Sequence, residues 1–135
     1  MPIPATDMTE LHEAESDDAY ERFFDRLAEV AKQHGIAHSR WSLWTVGTDP
    51  TPDPGDTLMS AHRYTGAMWL GYETNPFWDD NARCYTAQIR GPRRVDLWLA
   101  VDQILGRCGD KHHVFIERFL AHTSAPTRLT LECGS

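Results

Sequence analysis

Lysine is nearly missing from this chain: of 13 basic residues in 135, only Lys32 and Lys111 are lysines and the rest are arginines. A nucleotide-composition bias of the gene explains this more simply than a demand for forked, ring-stacking side chains at interfaces. A surplus of positive charge is missing too. Against the 13 bases stand 20 acids, and the net charge of −7 excludes a protein that coats nucleic acid. No apolar run approaches the ~20 residues that cross a membrane, so a membrane role is not expected. The 3 cysteines, Cys84, Cys108 and Cys133, are odd in number and form no CxxC pair. That excludes a disulfide framework and leads us to expect reduced, mostly buried thiols. The opening residues Met1-Pro-Ile-Pro-Ala-Thr-Asp7 carry neither a basic stretch nor an apolar segment, so no secretory signal is read and a cytoplasmic location is expected.

Chemical signatures are equally scarce. GxSxG, HExxH, GxxxxGK[ST] and GxGxxG are all absent, which removes the serine-hydrolase, zincin, P-loop and dinucleotide readings at the level of motif. Cys108 with His112 and His113 has an allowed metal-ligand spacing, but it is a half-site without a second cluster, and Cys108 fits an apolar helix stripe. Asp79-Asp80-Asn81 lacks the rest of a calcium loop and reads as turn chemistry. Neither a metal nor an organic cofactor is therefore expected.

What is present is a domain's worth of core. The chain is 41% hydrophobic and has 5 tryptophans, 4 tyrosines and 5 phenylalanines. At this size roughly two-thirds of the unfolded surface becomes buried, enough for one core. The charge is not spread evenly. Residues 1–31 hold nine acids against Arg22 and Arg26, while 32–135 are balanced. We therefore expect a mobile acidic arm over 1–15 and a single domain over 16–135, whose neutral body can associate with itself without large repulsion.

Periodicity gives the elements. Ser16 can cap a helix in which Tyr20, Phe23, Phe24, Leu27, Val30 and Ala31 recur at helical spacing, with Gly35 as its stop, predicting a helix over 16–34. A strand follows at 41–46, a Pro-rich loop at 47–56, a long strand over 58–73, a turn, and a third strand at 82–90. Gly91-Pro92 opens a second helix with Leu97, Trp98, Val101, Ile104, Leu105 and Cys108 as its apolar stripe and Gly109-Asp110 as its end. Arg90, Arg93 and Arg94 flank its start, where pairing with the acidic first helix is the expected role. Strands at 111–119 and 128–133 complete the chain. The order α-β-β-β-α-β-β, with short connections, predicts an α+β fold: a five-stranded, mostly antiparallel sheet with two helices on one face.

Two helices cover only one face of such a sheet, yet two strands read as apolar on both. Val114 and Ile116 oppose Phe115 and Phe119, and Met68 and Leu70 oppose Ala67 and Trp69. A homodimer, a small apolar or cationic ligand, or the folded-back arm and Pro-rich loop would meet the second face. The leading expectation is a non-catalytic, homo-oligomeric binding module using Trp69, Tyr85, Phe115 and Trp78. A second reading is a small enzyme in which His113 and Glu117, about 13 Å apart at strand rise, serve as acid and base with His62 or Asp79. A third is an interaction module that docks its acidic first helix on a basic partner.

The run Gly91-Pro-Arg-Arg-Val-Asp-Leu-Trp-Leu-Ala-Val-Asp-Gln103, then Gly109-Asp-Lys-His-His-Val-Phe-Ile-Glu-Arg-Phe119 and the ending Leu129-Thr-Leu-Glu-Cys-Gly-Ser135, resembles small proteins encoded by mobile integron gene cassettes. The resemblance spans about 64–135 and omits the acidic first helix. It implies a compact, often oligomeric bacterial accessory protein and supplies no reaction. Arg118 departs from the small residue expected at that position.

Overall fold

The computed structural model describes residues 21–41, 54–74, 83–109 and 113–134. Helix α1 occupies 21–33 of these. Phe23, Leu27, Val30 and Ala31 fall on its buried stripe, and Glu21, Arg22, Asp25, Arg26 and Glu29 stay exposed. Gly35 ends it in the left-handed region, φ 74°, where a side chain would be strained. The Gly35 and Ile36 N–H groups donate to the Lys32 and Ala31 carbonyls at 3.2 and 2.9 Å, the paired bonds of a Schellman turn. The 16–20 part of the expected helix, like the 1–15 arm, lies outside the described residues.

Strand β1 (Arg40–Trp41), helix α2 (Pro54–Met59), strands β2 (Trp69–Glu73) and β3 (Cys84–Gln88), helix α3 (Arg94–Cys108) and strands β4 (Phe115–Ala121) and β5 (Arg128–Gly134) follow. The fold is α+β around a single sheet, ordered β1-β4-β5-β2-β3, with the two-residue β1 at one edge of four longer strands. The sheet is mixed rather than mostly antiparallel. β2 with β3 and β4 with β5 are antiparallel, whereas β1 with β4 and β2 with β5 are parallel. β5 returns to lie beside β2 only after β3, α3 and β4 have intervened, so no short loop dictates their relative direction.

The expected long strand over 58–73 is replaced by three pieces. Pro54 opens α2, where its missing N–H costs nothing, Asp56 sits in the first turn, and Leu58 is buried. Residues 60–68 are irregular, tied to the start of α3 by the Ala61–Arg93 bridge, and only 69–73 join the sheet. Among the described residues the element order is thus α-β-α-β-β-α-β-β. The first strand is seen at 40–41, and the remainder of its expected 41–46 span falls outside the described residues.

Helix α3 is the spine of the core. Val95, Leu97, Trp98, Val101, Ile104 and Leu105 are at most 2% exposed and share one cluster with α1, α2 and the inner sheet face. Asp102 sits among them. Its carboxylate accepts the Ala37 and His38 backbone N–H groups at 3.1 and 2.6 Å and the Ser39 hydroxyl at 3.0 Å, while Ser39 Oγ accepts the Trp98 indole N–H at 2.9 Å. One buried acid thereby fastens the α1–β1 connection to α3.

At the other end of α3, Arg93 is the N-cap and Pro92 precedes it rather than occupying the first turn. The Asp96 carboxylate accepts the Arg93 backbone N–H at 2.9 Å and its guanidinium at 3.2 and 3.1 Å. Burial pushes this carboxyl up, but the Arg93 hydrogen bonds and charge, helped by His62, outweigh it and hold Asp96 below the usual carboxylate range. Gly91 is required beside it, since a Cβ there would stand 2.4 Å from Asp96 Oδ2. For Arg93 and Arg94 the expected pairing with α1 is therefore replaced by local contacts, Arg93 to Asp96 and Arg94 to the Ser60 hydroxyl. Gly109 closes α3 in the left-handed region as the sequence predicts, its N–H donating to Leu105 at 3.1 Å.

Candidate functional site

The inner sheet face carries Leu70, Tyr72, Ala87, Ile116, Phe119, Leu129 and Leu131, all buried. Strand alternation then sends Trp69, Gly71 and Glu73 of β2, Thr86 of β3, and Arg128 and Thr130 of β5 to the outer face. That face is less apolar than expected. The register of β4 shifts between Ile116 and Arg118, and this bulge turns Phe119 inward beside Leu131, onto the same face as Ile116. Arg118 instead faces out and pairs with Glu132 at 2.5 Å. The extra residue of the bulge takes Phe119 off the outer face and leaves Phe115 and Leu120 there with Arg118 between them.

Of the four residues expected to line one aromatic surface, the three described ones, Trp69, Tyr85 and Phe115, do not converge. Tyr85 lies opposite Tyr72 and packs half-buried against the core, on the inner face. Trp69 and Phe115 both face outward, but the register places Trp69 at Arg128 and Phe115 at Gly134. They are separated by the length of β5, 7 residues, or about 20 Å at strand rise. Trp78 lies outside the described residues, as do Asp79 and His112.

The proposed acid and base are likewise set apart in character. His113 is half-buried ahead of β4, and Glu117 is exposed at the bulge. The Glu117 carboxyl occupies the space above Gly134, where a Cβ would stand 1.9 Å from its Oε1. His62 belongs to a different place, the irregular stretch before α3. Its Nδ1 accepts the Tyr64 N–H at 3.1 Å, and its buried Nε2 has no partner among the described residues. The same residues include no group of three or more His, Cys, Asp or Glu side chains able to hold a metal ion. Cys108 stays on the α3 stripe, half-buried like Cys133, whereas Cys84 is exposed on β3, contrary to the expectation of mostly buried thiols.

What the outer face does assemble is a small group around the first residue of β2. Trp69 is 46% exposed and Met68 beside it 50%. Across from Trp69 in the parallel pair stands Arg128, whose guanidinium has no carboxylate partner among the described residues. Gly71 is opposite both Thr86 and Thr130, so the middle row of the sheet has a hydroxyl on each side of a position without a side chain. His122 Nε2 lies 2.6 Å from Thr130 Oγ1, and Leu120, paired with Thr130, is 37% exposed. Sequence reasoning finds Trp69 here, and marks Gly71 as a bulge or close approach, but misses Arg128, Thr86 and Thr130. Their relation depends on the parallel β2–β5 register, which no local pattern carries.

No family model, curated protein or solved structure matches this chain. Among the described residues no helix is long and apolar enough to cross a membrane.

Proposed function

We propose that the protein is a small, non-catalytic binding module that works as a homodimer, with the outer face of the sheet as both its self-association surface and its ligand surface. The observation that supports this reading is the exposure of Trp69 and Leu120 on a sheet face that the described helices leave open. Large apolar side chains in adjoining rows of one sheet face favour association more than the same residues scattered singly. The balanced charge of residues 32–135 opposes no such pairing. A second copy laid on this face would wall in the Trp69 end and make a cleft of what is an open platform in one chain. An accessory role of the kind implied by the resemblance to cassette-encoded proteins is part of the same reading. Light scattering on a sizing column tests it. The expected mass is twice 15.4 kDa, falling to that of one chain in Leu120→Glu. A wild-type chain that runs as a monomer at about 100 µM, a concentration at which micromolar interfaces are filled, would overturn it.

A further inference from the structure

Gly71 stands in the middle of a central strand, the place where a glycine is hardest to explain from the fold. Strand interiors favour β-branched and aromatic residues, and a glycine there contributes no packing and loosens the chain. Two structural reasons usually account for one, and neither applies. Its φ is not in the left-handed region, which among the described glycines is occupied by Gly35, Gly66 and Gly109. Nor does any backbone crowd it: a Cβ would find its nearest neighbours at 3.8, 3.9 and 4.0 Å, ordinary contact distances. The fold would accept a side chain at this position. The remaining reason for a strand glycine is that something outside the chain approaches the sheet there.

The surroundings of the slot specify what approaches. Its sides are the Thr86 and Thr130 hydroxyls, and one end is the exposed Trp69 indole. Arg128 reaches over from the same end, with Nη2 3.9 Å from where a Gly71 Cβ would be. Of the other arginines on this face, Arg118 already has Glu132 as its partner and Arg40 lies on the far edge strand beside Phe115, whereas Arg128 stands at the slot with no ion pair among the described residues. An indole face gives a flat ring a stacking surface, a guanidinium fork matches a carboxylate in two parallel hydrogen bonds, and flanking hydroxyls accept or donate to ring substituents. From this juxtaposition we infer that the Gly71 slot is a binding site for a small aromatic carboxylate, its ring against Trp69 over Gly71 and its carboxylate on Arg128. The inference rests on the binding-module reading above, and it replaces the apolar or cationic ligand expected from the sequence by an anionic one.

The test is a titration of the full-length, ¹⁵N-labelled protein with benzoate, benzamide and benzylammonium, following the Trp69 indole N–H signal, which is identified by its absence in Trp69→Phe. Benzoate is expected to shift that signal saturably, with benzamide and benzylammonium about tenfold weaker or worse, because each loses the charge-assisted pair with Arg128. Arg128→Gln should erase the preference for benzoate. Gly71→Val, whose spectrum outside the slot reports that the fold is intact, should abolish the shift. The inference is overturned if benzoate binds no better than benzamide, if folded wild-type protein shows no saturation by about 10 mM, a weak limit for a fragment of this size, or if Gly71→Val binds as wild type does. The mass measured on the same samples separates the two readings. A dimer that ignores benzoate overturns the site and leaves the dimer standing, and a monomer that binds benzoate upholds the site and overturns the dimer.

Discussion

Replacing Asp102 by alanine removes the carboxylate on which three donors of the 37–39 segment converge, leaving the Trp98–Ser39 hydrogen bond as a second tie to α3. Three donors lose their acceptor: the Ala37 and His38 N–H groups and the Ser39 hydroxyl, the last on a residue only 6% exposed. Each hydrogen bond to a charged acceptor contributes about 1.5–3 kcal/mol, and a buried hydroxyl left without a partner costs about 1–3 kcal/mol. The two backbone donors belong to exposed residues and recover water, and removing the carboxylate relieves its own burial. The net loss is therefore about 2–4 kcal/mol, a large share of the 5–15 kcal/mol that holds a domain together. Asp102→Asn keeps the shape but turns one oxygen into a donor that must face an N–H or a hydroxyl, so it should lose about half as much. Urea unfolding at pH 7 followed by tryptophan fluorescence gives both values, and a double-mutant cycle with Ser39→Ala should be strongly non-additive because Ser39 also accepts from Trp98. An Asp102→Ala protein within 0.5 kcal/mol of wild type would refute the idea that this carboxylate is a structural clasp, since that is the ordinary range for surface changes.

Other outcomes follow from the same physical terms. Asp96 is held below the usual carboxylate range in the folded chain, so the stability it supplies is complete above about pH 4 and is lost as the pH falls through the lowered native value. Urea midpoints for wild type and Asp96→Asn should therefore begin to converge as the solution is acidified below about pH 4, the ordinary carboxylate value; parallel curves would contradict the assignment. Gly91→Ala should cost about 1–3 kcal/mol, because its Cβ would meet an Asp96 carboxylate that three Arg93 contacts keep from moving away. Gly71→Ala should go the other way, raising stability by about 0.4–1 kcal/mol, and a destabilised variant would show that the fold itself needs the glycine. Arg107→Ala should release the Thr86 carbonyl on the edge strand β3, and scattering should then detect concentration-dependent aggregation absent from wild type.

Much of the scaffold was legible because its signals are local. The stripes of α1 and α3 and their stops at Gly35 and Gly109 are helical periodicity and left-handed termini written in consecutive residues. β5 was found within a residue of its ends, Arg128–Gly134. The failures are of two kinds. Helix α2 has a local signal, Pro54 at its start with Asp56 in the first turn, but Pro50, Pro52 and Pro54 together make 47–56 read as loop, and 58–59 read as the start of the long strand. The bulge in β4 and the parallel β2–β5 pair have no local signal at all, since both are settled by partners distant in sequence. Those two features decide the site. One turns Phe119 inward and puts Arg118 outside; the other brings Arg128 and Thr130 beside Trp69 and Gly71. A list of aromatic residues could therefore point to Trp69 while missing the side chains that give it chemical character.

The measurement that bears most directly on the central claim is sedimentation equilibrium of wild type and Leu120→Glu side by side. Association through the outer face predicts a wild-type mass of twice 15.4 kDa and a folded, single-chain mass for the variant. A wild-type monomer, or a variant that remains dimeric with its sheet intact, would contradict it.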